Sequence, residues 1–152
     1  MNPTDILVRR RPRTAAAGEA RTARWTKIRR WLPLVAWVAL IFGVSSIPQL
    51  SSEDIGLPRG FDKVVHFGEY LVLAVLFRHG LLGGAEQREA PIVLLVLATG
   101  LLIAGLDELY QSLIPGRHMS VYDFAADAAG LLAGILVGMR IERPAGRGAE
   151  QA

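Results

Sequence analysis

Three short stretches of this sequence carry side chains able to do chemistry. They are Asp62, His66 and Glu69; Asp107, Glu108 and Gln111; and Asp123 and Asp127. An imidazole one turn from a carboxylate, as His66 stands to Glu69, can take up and deliver a proton. Combined with further carboxylates it can instead hold a divalent cation. His66, Glu69, Asp107 and Glu108 are the catalytic candidates. Asp62, Lys63, Gln111, Arg117, Asp123 and Asp127 are the ligand-binding candidates. No H-E-x-x-H, no nucleophilic-serine elbow and no phosphate loop is present, so spacing alone names no reaction.

The spacing within each stretch is helical. Asp62, His66 and Glu69 stand at i, i+4 and i+7, within an arc of about 60° on one helix face. Asp107, Glu108 and Gln111 share an arc of about 100°, which Gly100 and Ala104 continue. Asp123 and Asp127 are i, i+4, and Gly130, Gly134 and Gly138 extend their stripe. A small residue at every fourth position lets a neighbouring helix approach closely. Helix packing accounts for these glycines, and they aim both aspartates at the bundle interior.

Composition indicates where these helices lie. The chain has 152 residues, 51% of them hydrophobic, with a mean hydropathy of +0.32. That excludes a disordered chain and argues for membrane residence. Four apolar stretches follow, at about 31–47, 62–82, 91–114 and 120–141, each near the ~20 residues that span ~30 Å of hydrocarbon. Backbone groups in lipid must be satisfied internally, so these are helices. The reading is an all-α, integral membrane four-helix bundle. Residues 1–30 form a disordered basic cytoplasmic arm, 31–141 the membrane domain and 142–152 a short cytoplasmic tail. The first span is read as an uncleaved anchor: its preamble is long for a signal peptide and no A-x-A site follows.

Charge sets the orientation. Residues 1–30 hold nine Lys/Arg against Asp5 and Glu19, while the rest of the chain holds eight basic and twelve acidic residues. The basic character therefore belongs to the arm, and nucleic acid is a poor partner for the body. By the positive-inside rule both ends are cytoplasmic. All three polar patches then fall within the outer ~10 Å of their helices. Six carboxylates would face Lys63, Arg117 and a protonated His66. In a low dielectric they should not all stay ionised: one or two are protonated, or a cation joins them. The chain has no cysteine, which excludes disulfides, thiolate nucleophiles and Cys-ligated zinc.

The motifs resemble those of the VanZ-like family. Asp62-Lys63-Val64-Val65-His66-Phe67-Gly68-Glu69-Tyr70 is similar to its DKxxHFxxY opening. Asp107-Glu108-Leu109-Tyr110-Gln111 with Pro115-Gly116-Arg117 is similar to its DExxQxxxPGR segment, and Ser120 to Gly130 to its SxxDxxxNxxG segment. The resemblance covers residues 45–137 in the family's order and leaves the arginine arm outside. It implies a small polytopic bacterial membrane protein, with a namesake linked to low-level teicoplanin resistance. Where the family has Asn, this chain has Asp127.

From these readings we expect a polar site in the outer half of the bacterial cytoplasmic membrane. The expected partners are membrane lipids, and at the site an envelope lipid or lipid-linked headgroup to be bound or modified. A structural or assembly factor and a small ion or solute transporter, the latter as a homodimer, are the rivals. No cofactor is identified beyond the divalent cation that the His and carboxylates would accept.

Overall fold

A computed structural model of the chain describes residues 13–48, 56, 58, 60–82 and 89–141. These form four α-helices and no strand: α1 (Arg13–Ser45), α2 (Phe61–Leu82), α3 (Glu89–Gln111) and α4 (Val121–Ile141). The segments Arg24–Ser45, Phe61–Leu82, Glu89–Gln111 and Val121–Ile141 are each long and apolar enough to cross a membrane. The protein is thus an all-α bundle of a multi-pass membrane protein. Residues 1–12 of the basic arm and the whole tail, 142–152, lie outside the described residues.

Two boundaries differ from the sequence reading. The first helix begins at Arg13, not near residue 31, and so takes in residues 13–30 of the stretch read as an arm. Ala and Arg are strong helix formers, and polarity does not stop a helix from propagating. Its described residues from Arg21 to Arg29 are exposed, so local propensity rather than packing favours helix there. The third helix ends at Gln111, not at residue 114. Its last turn tightens through Leu113 N to Tyr110 O (3.0 Å) and Ile114 N to Gln111 O (2.9 Å). Pro115 disfavours helical backbone at the residue before it, which ends the element. A turn then reverses the chain: Arg117 N donates to Ile114 O at 3.1 Å, with Gly116 at φ 80°. Proline at the second place and positive-φ glycine at the third suit a type II turn.

Side-chain contacts fix an antiparallel arrangement. At one end Lys63 of α2 meets Asp123 of α4, Ser120 before α4 meets Glu108 of α3, and Gln111 of α3 meets Ser45 of α1. At the opposite end Arg78 of α2 pairs with Glu89 of α3 at 2.8 Å and packs under Gly138 of α4. Trp31 of α1 covers Gly80 of α2 there. Among the described residues α1 packs on α2 and α3 and not on α4.

The closest packing is between α2 and α4. A Cβ on Gly130 would run into the carbonyl oxygen of Phe67, and one on Gly134 into that of Leu71. These two helices touch backbone to backbone. Leu131 and Ile135 fill the adjoining core with Tyr70, Leu73 and Ala74. Apolar side chains on the outer faces, such as Val35, Leu94, Leu102, Leu132 and Leu136, are exposed and suit a lipid surround.

This contact makes a stability prediction. Gly134→Ala should cost about 1–3 kcal/mol, because the methyl group would meet the Leu71 carbonyl and the Ala74 Cβ, neither of which can swing aside. Gly105 has open space around it. Gly105→Ala should leave stability unchanged or raise it by up to about 1 kcal/mol through helix propensity. Denaturant titration of the two detergent-solubilised variants, followed by helical circular dichroism, checks both.

Candidate functional site

The end of the bundle holding the starts of α2 and α4 and the end of α3 is polar through two levels. The rim comes first. Lys63 Nζ lies 2.7 Å from Asp62 Oδ2 and 2.7 Å from Asp123 Oδ1, tying α2 to α4. Ser120 caps α4: its Oγ accepts from Asp123 N at 3.2 Å. In a capping box the acid three residues on would bond back to the cap's own N–H. Here Asp123 is engaged by Lys63, and Glu108 of α3 supplies that acceptor instead, with Ser120 N to Glu108 Oε2 at 2.6 Å. The start of α4 is therefore held from both α2 and α3.

One helical turn deeper lies a buried layer. His66 Nδ1 and Asp127 Oδ1 are 3.0 Å apart, with the two side chains 7% and 0% exposed. Beside them Gln111 spends its whole amide on neighbours. Its Nε2 donates to Asp107 Oδ2 at 2.9 Å and to Ser45 Oγ at 3.2 Å, while its Oε1 accepts from Arg117 Nη2 at 3.0 Å. Gln111 thus links α1, α3 and the α3–α4 turn. The sequence-predicted residues His66, Asp107, Glu108, Gln111, Asp123 and Asp127 are all buried, as read from three separate helices.

The two levels differ in how well they are satisfied. At the rim every carboxylate has a partner. In the deeper layer Asp107 Oδ1, Glu108 Oε1, Asp127 Oδ2 and the Tyr70 hydroxyl are buried with no hydrogen bond among the described residues. Arg117 Nη1 is in the same condition. Buried polar atoms are nearly always paired, so this cluster of exceptions calls for an explanation. One ligand-capable atom from each of His66, Glu108 and Asp127 lies within 4.8 Å of the other two.

Glu69 is placed differently from its fellow candidates. It is half-buried, and its carboxylate makes no hydrogen bond among the described residues. Three residues after His66, it lies on the same face of α2. Its backbone oxygen accepts from Trp37 Nε1 at 2.8 Å, which docks α1 beside the site.

Sequence reasoning missed two residues of this layer. Tyr70, which closes the DKxxHFxxY-like segment, is fully buried, and its hydroxyl has no hydrogen bond among the described residues. Its position four residues after His66 on the same face was the available signal. Ser45 closes the Gln111 network from α1, and nothing in its sequence context marks it. His79 and His118 are exposed.

The chain matches the VanZ/LLP1 family over residues 9–142. That match extends past the three motifs and takes in all of α1 and part of the arm, which corrects the expectation that the arginine arm lies outside the resemblance. No curated protein and no solved structure matches the chain.

The rim pairs can be tested apart from the deeper layer. Lys63→Met leaves Asp123 mostly buried without its cation and should cost about 1–2 kcal/mol, less than a fully buried pair because Lys63 is 37% exposed. Adding Asp123→Asn should recover part of that loss, since the stranded charge is gone. A double-mutant cycle on unfolding in detergent reads both steps.

Proposed function

We propose that this chain, which belongs to the VanZ/LLP1 family, binds or modifies an envelope lipid or lipid-linked headgroup at its polar end. That end faces outward from the bacterial cytoplasmic membrane. The support for the orientation is the count of basic residues, nine of them in residues 1–30. Alternation puts the α2–α3 connection and residues 142–152 on the same, cytoplasmic side. Asp62, His66 and Glu69 then span about 10 Å of depth below the outer rim. A lipid headgroup reaches that level without crossing the bilayer.

The observation that carries the proposal is the buried His66–Asp127 pair beside acids that have no protein partner. A carboxylate on Nδ1 fixes the ring and leaves Nε2 to exchange a proton, the division of labour used wherever an Asp orients a catalytic His. Glu69, one turn further on the same face, is the second proton carrier. Arg117 is the anion grip: Nη2 is held by Gln111 while Nη1 is unpaired, so a planar guanidinium is already oriented for a phosphate or carboxylate. Lys63 is engaged by two carboxylates and serves position rather than binding. A change in such a lipid would alter susceptibility to glycopeptide antibiotics.

Comparison of lipid extracts from deletion, wild-type, His66→Gln and Arg117→Ala strains tests this reading. The two variants should reach wild-type abundance in the membrane yet reproduce the lipid change of the deletion. If His66 carries the proton of a turnover step, its loss should slow that step about 10²–10⁴-fold. Depletion of both variants from the membrane would instead favour a scaffolding network. Ion-dependent flux in proteoliposomes would favour transport.

Orientation has its own test, made simple by the absence of cysteine. His118→Cys should react with a membrane-impermeant maleimide in spheroplasts. Ala149→Cys should react only after lysis. The reverse pattern would invert the topology and with it the outward-facing site.

A further inference from the structure

We infer that His66, Glu108 and Asp127 form a binding site for one divalent transition-metal cation, with Zn²⁺ the best match. The ion would sit within the site proposed above for the headgroup and rests on that placement; with the ion bound, His66 is a ligand and Glu69 is left as the proton carrier. Its test reads metal rather than lipid, so either reading can fail alone.

Three observations converge on it. First, the donors come one each from α2, α3 and α4, and their ligand-capable atoms lie within 4.8 Å of one another. Around an ion with bonds of ~2.0–2.1 Å, neighbouring ligand atoms stand about 3.3 Å apart in a tetrahedron and opposite ones about 4.2 Å apart in an octahedron. The 4.8 Å bound exceeds these spacings by about 0.6–1.5 Å, so side-chain adjustments of that size would close the three donors on an ion.

Second, the site has acceptors to spare. Glu108 is 2% and Asp127 0% exposed, and Glu108 Oε1 and Asp127 Oδ2 have no hydrogen-bond donor among the described residues. Neither nearby cationic side chain hydrogen-bonds Glu108 or Asp127 among the described residues: Lys63 is engaged by Asp62 and Asp123, and Arg117 Nη2 by Gln111. Two buried carboxylates with a neutral imidazole carry two negative charges, which a divalent ion balances.

Third, the ligands are held from behind. Ser120 N donates to Glu108 Oε2 at 2.6 Å, which fixes that carboxylate and leaves its other oxygen to coordinate. Supporting hydrogen bonds of this kind are typical of metal ligands. The donor type selects the ion. Mg²⁺ and Ca²⁺ prefer oxygen throughout, whereas one imidazole nitrogen with two carboxylates suits zinc and its first-row neighbours. Three protein ligands also leave a coordination position open. A headgroup phosphate oxygen could fill it, with Arg117 as the second point of attachment.

The full chain, purified in detergent through a tag that does not bind metal, is dialysed against Zn²⁺, Mn²⁺, Mg²⁺ or Ca²⁺ and desalted. Elemental analysis should find about one Zn²⁺ per chain and little Mg²⁺ or Ca²⁺, with zinc raising the melting temperature. Glu108→Gln and Asp127→Asn should each weaken zinc binding at least about tenfold while keeping the elution position and helical circular dichroism of the wild type. Should the variants not fold, the wild type alone decides the matter: Co²⁺ in place of Zn²⁺ should give the visible bands of a low-coordinate N/O site. Folded wild-type protein that retains less than a tenth of an ion per chain and shows no Co²⁺ bands would overturn the inference. So would zinc binding that Glu108→Gln and Asp127→Asn leave unchanged. Lipid binding that persists without metal would leave the headgroup proposal standing by itself.

Discussion

The approach of α4 to the backbone of α2 is the constraint on which the site depends. Gly130 and Gly134 sit over the carbonyls of Phe67 and Leu71, where no side chain fits. Phe67 follows His66 directly, and Gly130 lies one turn beyond Asp127. The tightest point of the helix pair is therefore one turn from the His66–Asp127 contact. Lipid offers no hydrophobic drive for helices to associate, so close backbone packing must do much of that work. Without it a buried histidine and aspartate would not stand 3.0 Å apart.

The two ends of the bundle use charge in opposite ways. At the end where Trp31 covers Gly80, Arg78 runs buried beneath Gly138 and meets Glu89 in the first turn of α3. That pair fastens α2 to α3 and sits where a long cationic side chain can reach the interface. At the other end the rim is likewise a set of fastenings, with Lys63 between two aspartates and Ser120 between Glu108 and Asp123. Only the layer below the rim leaves acceptors over. A network built for cohesion would pair its buried oxygens, because each one left unpaired costs about 1–3 kcal/mol. Three such oxygens and a phenol in one layer weigh against pure scaffolding.

Much of this was legible in the sequence, for identifiable reasons. Continuous apolar runs admit only helices in lipid, and their lengths give four crossings. Helical spacing assigns Asp62, His66 and Glu69 to one face, and alternating direction brings that face level with Asp107–Gln111 and Asp123–Asp127. Neither step needs coordinates. What escaped depends on local competition or on exact placement. Residues 13–30 read as a polar arm, although their Ala and Arg content favours helix. Residues 112–114 read as membrane helix because they are apolar, while Pro115 ends the helix before them. Tyr70 reads as packing, since nothing in a sequence shows whether a buried hydroxyl finds a partner. The division of labour among the acids, with Asp62 and Asp123 bound to Lys63 and Glu108 half free, is a matter of distances alone.

Asp127 separates what geometry supplies from what charge supplies. The motif that this segment resembles has Asn there. An amide oxygen could accept from His66 Nδ1 as the carboxylate does, so the ring would be oriented either way. The carboxylate adds a negative charge at a fully buried position, in a layer that already holds Asp107 and Glu108. An added charge at that depth is costly unless it is balanced, and the protein balances it only in part, since Asp127 Oδ2 has no hydrogen bond among the described residues. The substitution therefore leaves the architecture unchanged and increases the demand for positive charge beside His66. Protonation of a carboxyl in this layer or a cation beside His66 meets that demand.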